Sequence, residues 1–281
     1  MSLADPPAIV PQPFGAQLRH WRQHRRLSQQ GLAGEADIST RHLSFVETGR
    51  ALPSREMVLR LAQRLDVPLR ERNALLVAAG YAPMYRERPL ADPALAPARE
   101  AIALILRAHE PNPALAVDRH WNLVAGNRML AHLLAGADAG LMQGPVNVLR
   151  LSLHPRGLAG RIVNLGQWRE HLFERLHQQV RATGDTVLSD LLAELQAYPV
   201  PEGAHDTRLG GEHLGVALPL QLRAPDGRVL SFISTTTVFG TAVDVTVQEL
   251  ALETFFPLDG PTGEALRQLA AAGEAPGPSP A

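Results

Sequence analysis

The chain has 281 residues, 45% of them hydrophobic and 20% charged, enough apolar material for two cores. It has no cysteine, which excludes disulfides, thiolate catalysis and cysteine-bound zinc. The net charge of −1 is uneven: residues 1–88 carry 13 Arg against 8 Asp and Glu, and the rest carry 14 against 20. A basic first part joined to an acidic remainder predicts a polyanionic partner for the first part only. No apolar run is long enough to span a membrane, and no basic-then-apolar leader opens the chain, so the expectation is a cytoplasmic protein with no membrane partner.

Residues 1–13 carry Pro6, Pro7, Pro11 and Pro13 and are expected to be disordered. From Phe14 the pattern turns helical. A first helix is predicted over Phe14–Arg26, with Leu18, Trp21 and Arg25 at helical spacing. Ser28 caps a second, Gln29–Ala36, which buries Leu32, Ala33 and Ala36. After a turn at Asp37-Ile38, Ser39 caps a third, Thr40–Thr48, with Leu43 and Val46 inward and Gly49 as its stop. Ser54 caps a fourth, carrying Met57, Leu61 and Leu65. A fifth follows Pro68, with Leu75, Leu76 and Ala79 on one face. Two short serine-capped helices joined by a tight turn form a helix-turn-helix unit.

Such a unit lays its second helix in the DNA major groove. The exposed side of the third helix offers Thr40, Arg41, Ser44 and Phe45. Arg41 can donate two hydrogen bonds to guanine O6 and N7. Phe45 either meets thymine methyls or belongs to the core. Thr40 and Ser44 can bond bases or phosphates. Gln29 is a candidate phosphate clamp and Arg50 a second phosphate contact. His42 is either a phosphate contact or a plain surface residue.

The stretch LSQQGLAGEADISTRHLSFVETGRALPS resembles the lambda-repressor/Cro-like (XRE) family of regulators, and the resemblance covers residues 14–80. It rests on Ser-Gln at the start of the second helix, Leu-Ala inside it, Ile-Ser before the third, and Glu-x-Gly-Arg after it. The resemblance implies a double-stranded DNA operator as partner and a buried ion pair between Arg22 and Glu47. Asp37 stands where the family usually has a turn glycine; aspartate tolerates left-handed backbone better than most residues.

Residues 82–97 hold Pro83, Pro89, Pro93 and Pro97 and read as a linker or the start of a second domain. A helix is predicted near Arg99–His109. AVDRHWNLVAGNRMLAHLL then alternates like a strand through Ala116, Asp118 and Trp121, and turns helical near Asn127. Residues 164–198 give two amphipathic helices broken at Gly184-Asp185. Three strands follow as an antiparallel meander, Val216–Arg223, Val229–Val238 and Ala242–Leu252, with a turn signal at Pro225-Asp226-Gly227. The tail Ala271–Ala281 is expected to be disordered.

STTTVFG followed by DVTVQELALETFFP, together with HPRGLAGRIVNL and the Trp168-Arg169 pair, resembles the C-terminal domain of MmyB-like regulators. That resemblance implies a PAS-like sensor at residues 98–268 with a small-molecule pocket. Fatty-acid-like ligands are the implied class. A sheet with helices over one face encloses a concave apolar space. Trp121, Phe173, Phe232 and Phe239 are candidates for its lining, although an aromatic on a strand or amphipathic helix is more often plain core. Arg150 and Arg161 are candidates to pair with a carboxylate head group, or are solvated charges.

Signals for catalysis are poor. Eight histidines follow residue 88, none in a His-Glu-x-x-His arrangement, and neither a phosphate-binding glycine loop nor a Gly-x-Ser-x-Gly elbow occurs. No catalytic residue, metal site or cofactor is expected, apart from a bound fatty acid or other small apolar ligand. The expected fold is an all-α five-helix lambda-repressor-like domain at 14–80, then an α+β PAS-like domain with an antiparallel sheet. The expected function is a sequence-specific DNA-binding transcription regulator, not an enzyme, whose second domain senses a small ligand and supports a homodimer. The alternative is a second domain that binds a protein partner and no small ligand.

Overall fold

Serine hydroxyls set the starts of three helices in the first ninety residues. Ser28 accepts a hydrogen bond from the Gly31 amide at 2.9 Å, Ser39 from His42 at 3.2 Å, and Ser54 from Met57 at 3.2 Å. Each satisfies an amide that the helix itself leaves unpaired. The computed structural model describes residues 13–200 and 218–272. The segments expected to be disordered lie outside these residues except for Pro13, which precedes the first helix, and Ala271 and Ala272, which end the last one. Val216, the expected start of the first meander strand, also lies outside.

The helices are α1 (Phe14–His24), α2 (Gln29–Glu35), α3 (Thr40–Glu47), α4 (Arg55–Arg64), α5 (Leu69–Ala78) and α6 (Ala96–Ala108). They continue with α7 (Leu130–Leu134), α8 (Val148–Leu153), α9 (Leu165–Thr183), α10 (Thr186–Ala197), α11 (Val245–Gln248) and α12 (Gly260–Ala272). The strands are β1 (Ala114–Val117), β2 (Leu123–Gly126), β3 (Leu220–Arg223), β4 (Val229–Val238) and β5 (Ala251–Pro257). The chain divides into two units: Met1–Pro89 with Thr241–Gln248, and Leu90–Gly240 with Glu249–Ala281.

In the first unit α1–α5 close over Leu18, Leu32, Leu43, Leu61, Leu65 and Leu76, all fully buried. Asp37 takes φ 54°, the left-handed turn its position requires. Gly15 lets α1 approach α3 closely: a methyl group there would collide with the Glu47 carbonyl. The segment Thr241–Gln248 belongs to this unit. Asp244, which is buried, pairs with Arg88 at 3.1 Å, and the Gln248 side-chain oxygen accepts the Leu69 amide at 2.8 Å. Leu69 opens α5, and its N-cap residue, Pro68, has no side-chain acceptor to offer.

That segment corrects the third expected strand. Asp244 accepts the Thr246 amide at 3.0 Å, which starts the single turn α11, so the strand begins only at Ala251 and runs on to Pro257. A local side-chain-to-backbone bond has won over the sheet ladder.

The second unit is built on a five-stranded antiparallel sheet in the order β2-β1-β5-β4-β3. AVDRHWNLVAG makes a hairpin where one strand was expected. The Asp118 carboxylate accepts the amides of His120 and Asn122, at 2.8 and 2.9 Å, and reverses the chain. Strand alternation divides the core between the sheet's faces. Leu115 and Val117 join a large cluster with α7–α10 and α12, while Ala114 and Ala116 join a smaller one with Ile102 and Leu106 of α6. Between α9 and α10, Gly184 takes φ 65° and Asp185 caps the next helix through the amides of Val187 and Leu188.

Candidate nucleic-acid interface and ligand pocket

The outer face of α3 is polar and accessible. Thr40, Arg41 and Arg50 are exposed, and His42, Ser44 and Phe45 are half-buried. Phe45 is not one of the side chains packed into the helical core. The Arg41 guanidinium lies 5.4 Å from the centre of its ring, one helical turn away. The Phe45 carbonyl in turn accepts the Arg50 amide at 2.8 Å, which fixes the chain just past the helix.

The inner end of α3 is locked by Glu47, whose side chain is fully buried. Arg22 donates to both its oxygens, Nε to Oε1 at 2.6 Å and Nη2 to Oε2 at 2.9 Å. Burial alone would raise the Glu47 pKa, but hydrogen bonds from Arg22 and Gln29 outweigh it and hold the carboxyl below its usual range. Gln29 therefore has a role that its sequence position did not suggest. Its side-chain nitrogen donates to Glu47 at 2.8 Å, leaving one N–H of the amide for a phosphate.

A cavity of about 80 Å³ sits in the second unit under the sheet. Its walls are apolar, with Leu130 and Leu133 from α7, Leu149 from α8, Trp168 and Leu172 from α9, and Phe255 from β5. Trp121 also lines it, and takes an unusual left-handed backbone, φ 67°, at the tip of the β1–β2 hairpin. Its indole donates to Gln179 at 2.7 Å. The turn accounts for this backbone, since the Trp121 amide donates to the Asp118 carbonyl at 3.0 Å. Among the described residues, four polar side chains join the lining: Ser152, Ser234, Arg175 and Glu253.

Arg175 and Glu253 form an ion pair at 2.8 Å, with Glu253 the more deeply buried. Thr236 donates to the same carboxylate at 2.9 Å and accepts from Arg175 at 3.0 Å. The Arg175 guanidinium lies 4.6 Å from the Trp121 ring centre. Ser152 accepts the Trp168 indole N–H at 3.0 Å. None of these four was singled out in the sequence, although a signal existed. Arg175 falls on the helical stripe of Trp168 and Leu172, and Glu253 falls two residues from Phe255 on the same strand face.

Of the four aromatic candidates, only Trp121 lines the cavity. Phe232 is sealed in the core, edge-on to Phe255 at 6.2 Å. Phe173 is half-buried beneath the Arg169 guanidinium at 5.2 Å. Phe239 packs into the smaller cluster, on the other face of the sheet. The two arginine candidates for a head group are occupied elsewhere. Arg150 grips Glu194 through Nε and Nη2, at 2.9 and 2.7 Å. Tyr198 also donates to that carboxylate, and burial with this bond pushes its own pKa up to about 12. Arg161 donates to the carbonyls of Leu133, Ala135 and Arg223, and burial lowers its pKa. Arg161 faces a second cavity of about 220 Å³ among α7, the β3–β4 turn and α12, whose other charges, Asp226 and Arg228, pair at 2.6 Å.

Residues 98–269 match the family model described as "MmyB-like transcription regulator ligand binding domain". The chain belongs to that family. Residues 13–75, spanning α1 to most of α5, match a model described as "Helix-turn-helix domain". The protein is thus a transcription regulator that joins a DNA-binding helix-turn-helix region to an MmyB-like ligand-binding domain. Neither matched family is an enzyme family. The regulator is similar to the clp gene regulator ClgR from Corynebacterium glutamicum, with 24% identity over 38% of this chain and 99% of that one, at a TM-score of 0.22. It is also similar to an RNA-binding light-oxygen-voltage receptor, with 14% identity over 92% of this chain and 63% of that one, at 0.25. Scores this low carry no argument about the regulator's fold or function. No curated protein matches the chain. Among the described residues, no helix is long and apolar enough to cross a membrane.

Proposed function

We propose that the regulator binds a specific DNA operator through α3, and that its second unit holds a small apolar or amphipathic molecule. Arg41 reads a guanine edge, Phe45 meets a thymine methyl, and Thr40 and Ser44 bond bases or phosphates. Gln29, His42 and Arg50 contact the backbone and fix the register. The observation that carries this reading is the contrast between the two sides of α3. Its inner end is tied down by Arg22, Gln29 and Glu47, while its outer face presents Arg41 above Phe45 with no acidic partner among the described residues.

The working form is a homodimer on a two-fold operator, its half-sites about one helical turn apart. The fatty-acid-like class implied by sequence resemblance is the broad form of the ligand. Ligand regulates DNA binding only if it favours one dimer arrangement over another. The test is to select duplexes from a randomised pool with the full-length protein, then titrate them with and without candidate ligands. The expected result is a selected duplex bound at least ~10³-fold tighter than its scrambled form. Equal affinity for both contradicts the operator reading, and unchanged affinity at saturating ligand contradicts the sensing reading.

A further inference from the structure

The polar equipment of the 80 Å³ cavity is unlike that of a carboxylate site. Its one cationic side chain among the described residues, Arg175, already has an anion. Nη2 lies 2.8 Å from Glu253 Oε1, and Nη1 faces Oε2 at 3.4 Å. Thr236 supports the same carboxylate oxygen. The pair therefore presents no net charge to the cavity. A ligand carboxylate reaching Arg175 would also meet Glu253, and would have to leave water for a pocket walled by leucine and tryptophan. The two hydroxyls have the opposite character. Ser152 accepts the Trp168 indole and keeps its own proton to donate. Ser234 makes no side-chain hydrogen bond among the described residues, yet lines the cavity. Two neutral hydroxyls in an apolar pocket suit a neutral oxygen.

We propose that this cavity takes a short uncharged amphiphile, a hydrocarbon ending in an alcohol, ester or amide oxygen, and discriminates against the matching carboxylate. The proposal rests on the reading above that the second unit holds a small amphipathic molecule, and within it replaces the fatty-acid-like class by that class's uncharged analogues. Size follows from the volume: at roughly 10–15 Å³ for each water-sized occupant, the space holds about five to eight non-hydrogen atoms. The discrimination comes from Glu253, because that carboxylate neutralises Arg175 and repels a second anion.

The test compares 1-hexanol with hexanoate on the full-length protein at neutral pH, by calorimetry and by quenching of tryptophan fluorescence. The wild type is expected to bind the alcohol at least about tenfold tighter than the carboxylate, since an unpaired charge is costly in an apolar site. In Glu253→Gln the order is expected to narrow or reverse, because Arg175 then lacks an anion. The wild-type comparison needs no variant, so the proposal stays testable if Glu253→Gln fails to fold. Tighter binding of hexanoate to the wild type would overturn the charge inference and leave the ligand-binding reading standing. Binding of neither compound would overturn both.

Discussion

Each unit of the regulator buries an arginine–glutamate pair with a third side chain attached, and the two pairs have different consequences. Arg22 and Glu47 are 10% and 0% exposed; Gln29 donates to the same carboxylate, and the more exposed Arg19 lies 3.6 Å from it. Arg175 and Glu253 are 26% and 6% exposed, with Thr236 in the third place. The first pair lies among α1, α2 and α3 and holds those helices in register. The second has a cavity for one wall, so its neutrality sets the charge a ligand can bring. The chemistry of the bond is the same in both. What differs is whether the adjoining space is filled by the protein or left open, and that decides between a lock and a selector.

The comparison breaks or sharpens first on truncation. Glu47→Ala leaves Arg22 buried without an anion and is expected to cost roughly 3–5 kcal/mol of helical-unit stability. Glu253→Ala is expected to cost less, about 1–3 kcal/mol, because Arg175 is partly exposed and the cavity can admit water. Denaturant-dependent hydrogen exchange, resolved to α1–α3 and to β4–β5, measures both in the full-length chain. Similar losses at the two sites would remove the distinction between them.

A pH series sharpens the first pair. The folded Glu47 carboxyl sits below its ordinary value of 4.5, so its contribution is present above that pH and is lost as pH falls further, through the lower folded value. The stability gap between wild type and Glu47→Gln is therefore expected to shrink below pH 4.5. A gap constant with pH would mean that the pair is not what holds the helices together. The smallest effect concerns Gln248. Its replacement by Ala removes the acceptor for the Leu69 amide and is expected to cost about 1 kcal/mol in the helical unit. Protection of the first-turn amides of α5 reports it directly, and unchanged protection there would remove Gln248 from the account.

Much of the helical unit was legible because its signals are local. Ser28, Ser39 and Ser54 cap the helices they were expected to cap, and Asp37 takes the left-handed turn its position demanded. The Gly184-Asp185 break was readable for the same reason. The misread elements turn on one aspartate each. Asp118 reverses a stretch that alternates like a single strand, and Asp244 winds a turn where β-branched residues promised a ladder. The pocket was hardest to read. Arg175 and Glu253 lie 78 residues apart, and neither stands out until the helix stripe and strand face that carry them are brought together. Aromatic residues drew attention instead. Three of the four fill core or lie outside the cavity, since an aromatic on a sheet packs as readily away from a pocket as into it.

The most direct test of the account titrates wild type and Arg41→Ala against a duplex selected by the protein and against its scrambled form. A loss of about 1–3 kcal/mol on the selected duplex, with little change on the scrambled one, is the result expected if Arg41 reads a base. An equal loss on both would make Arg41 a backbone contact and contradict the assignment of base reading to the outer face of α3.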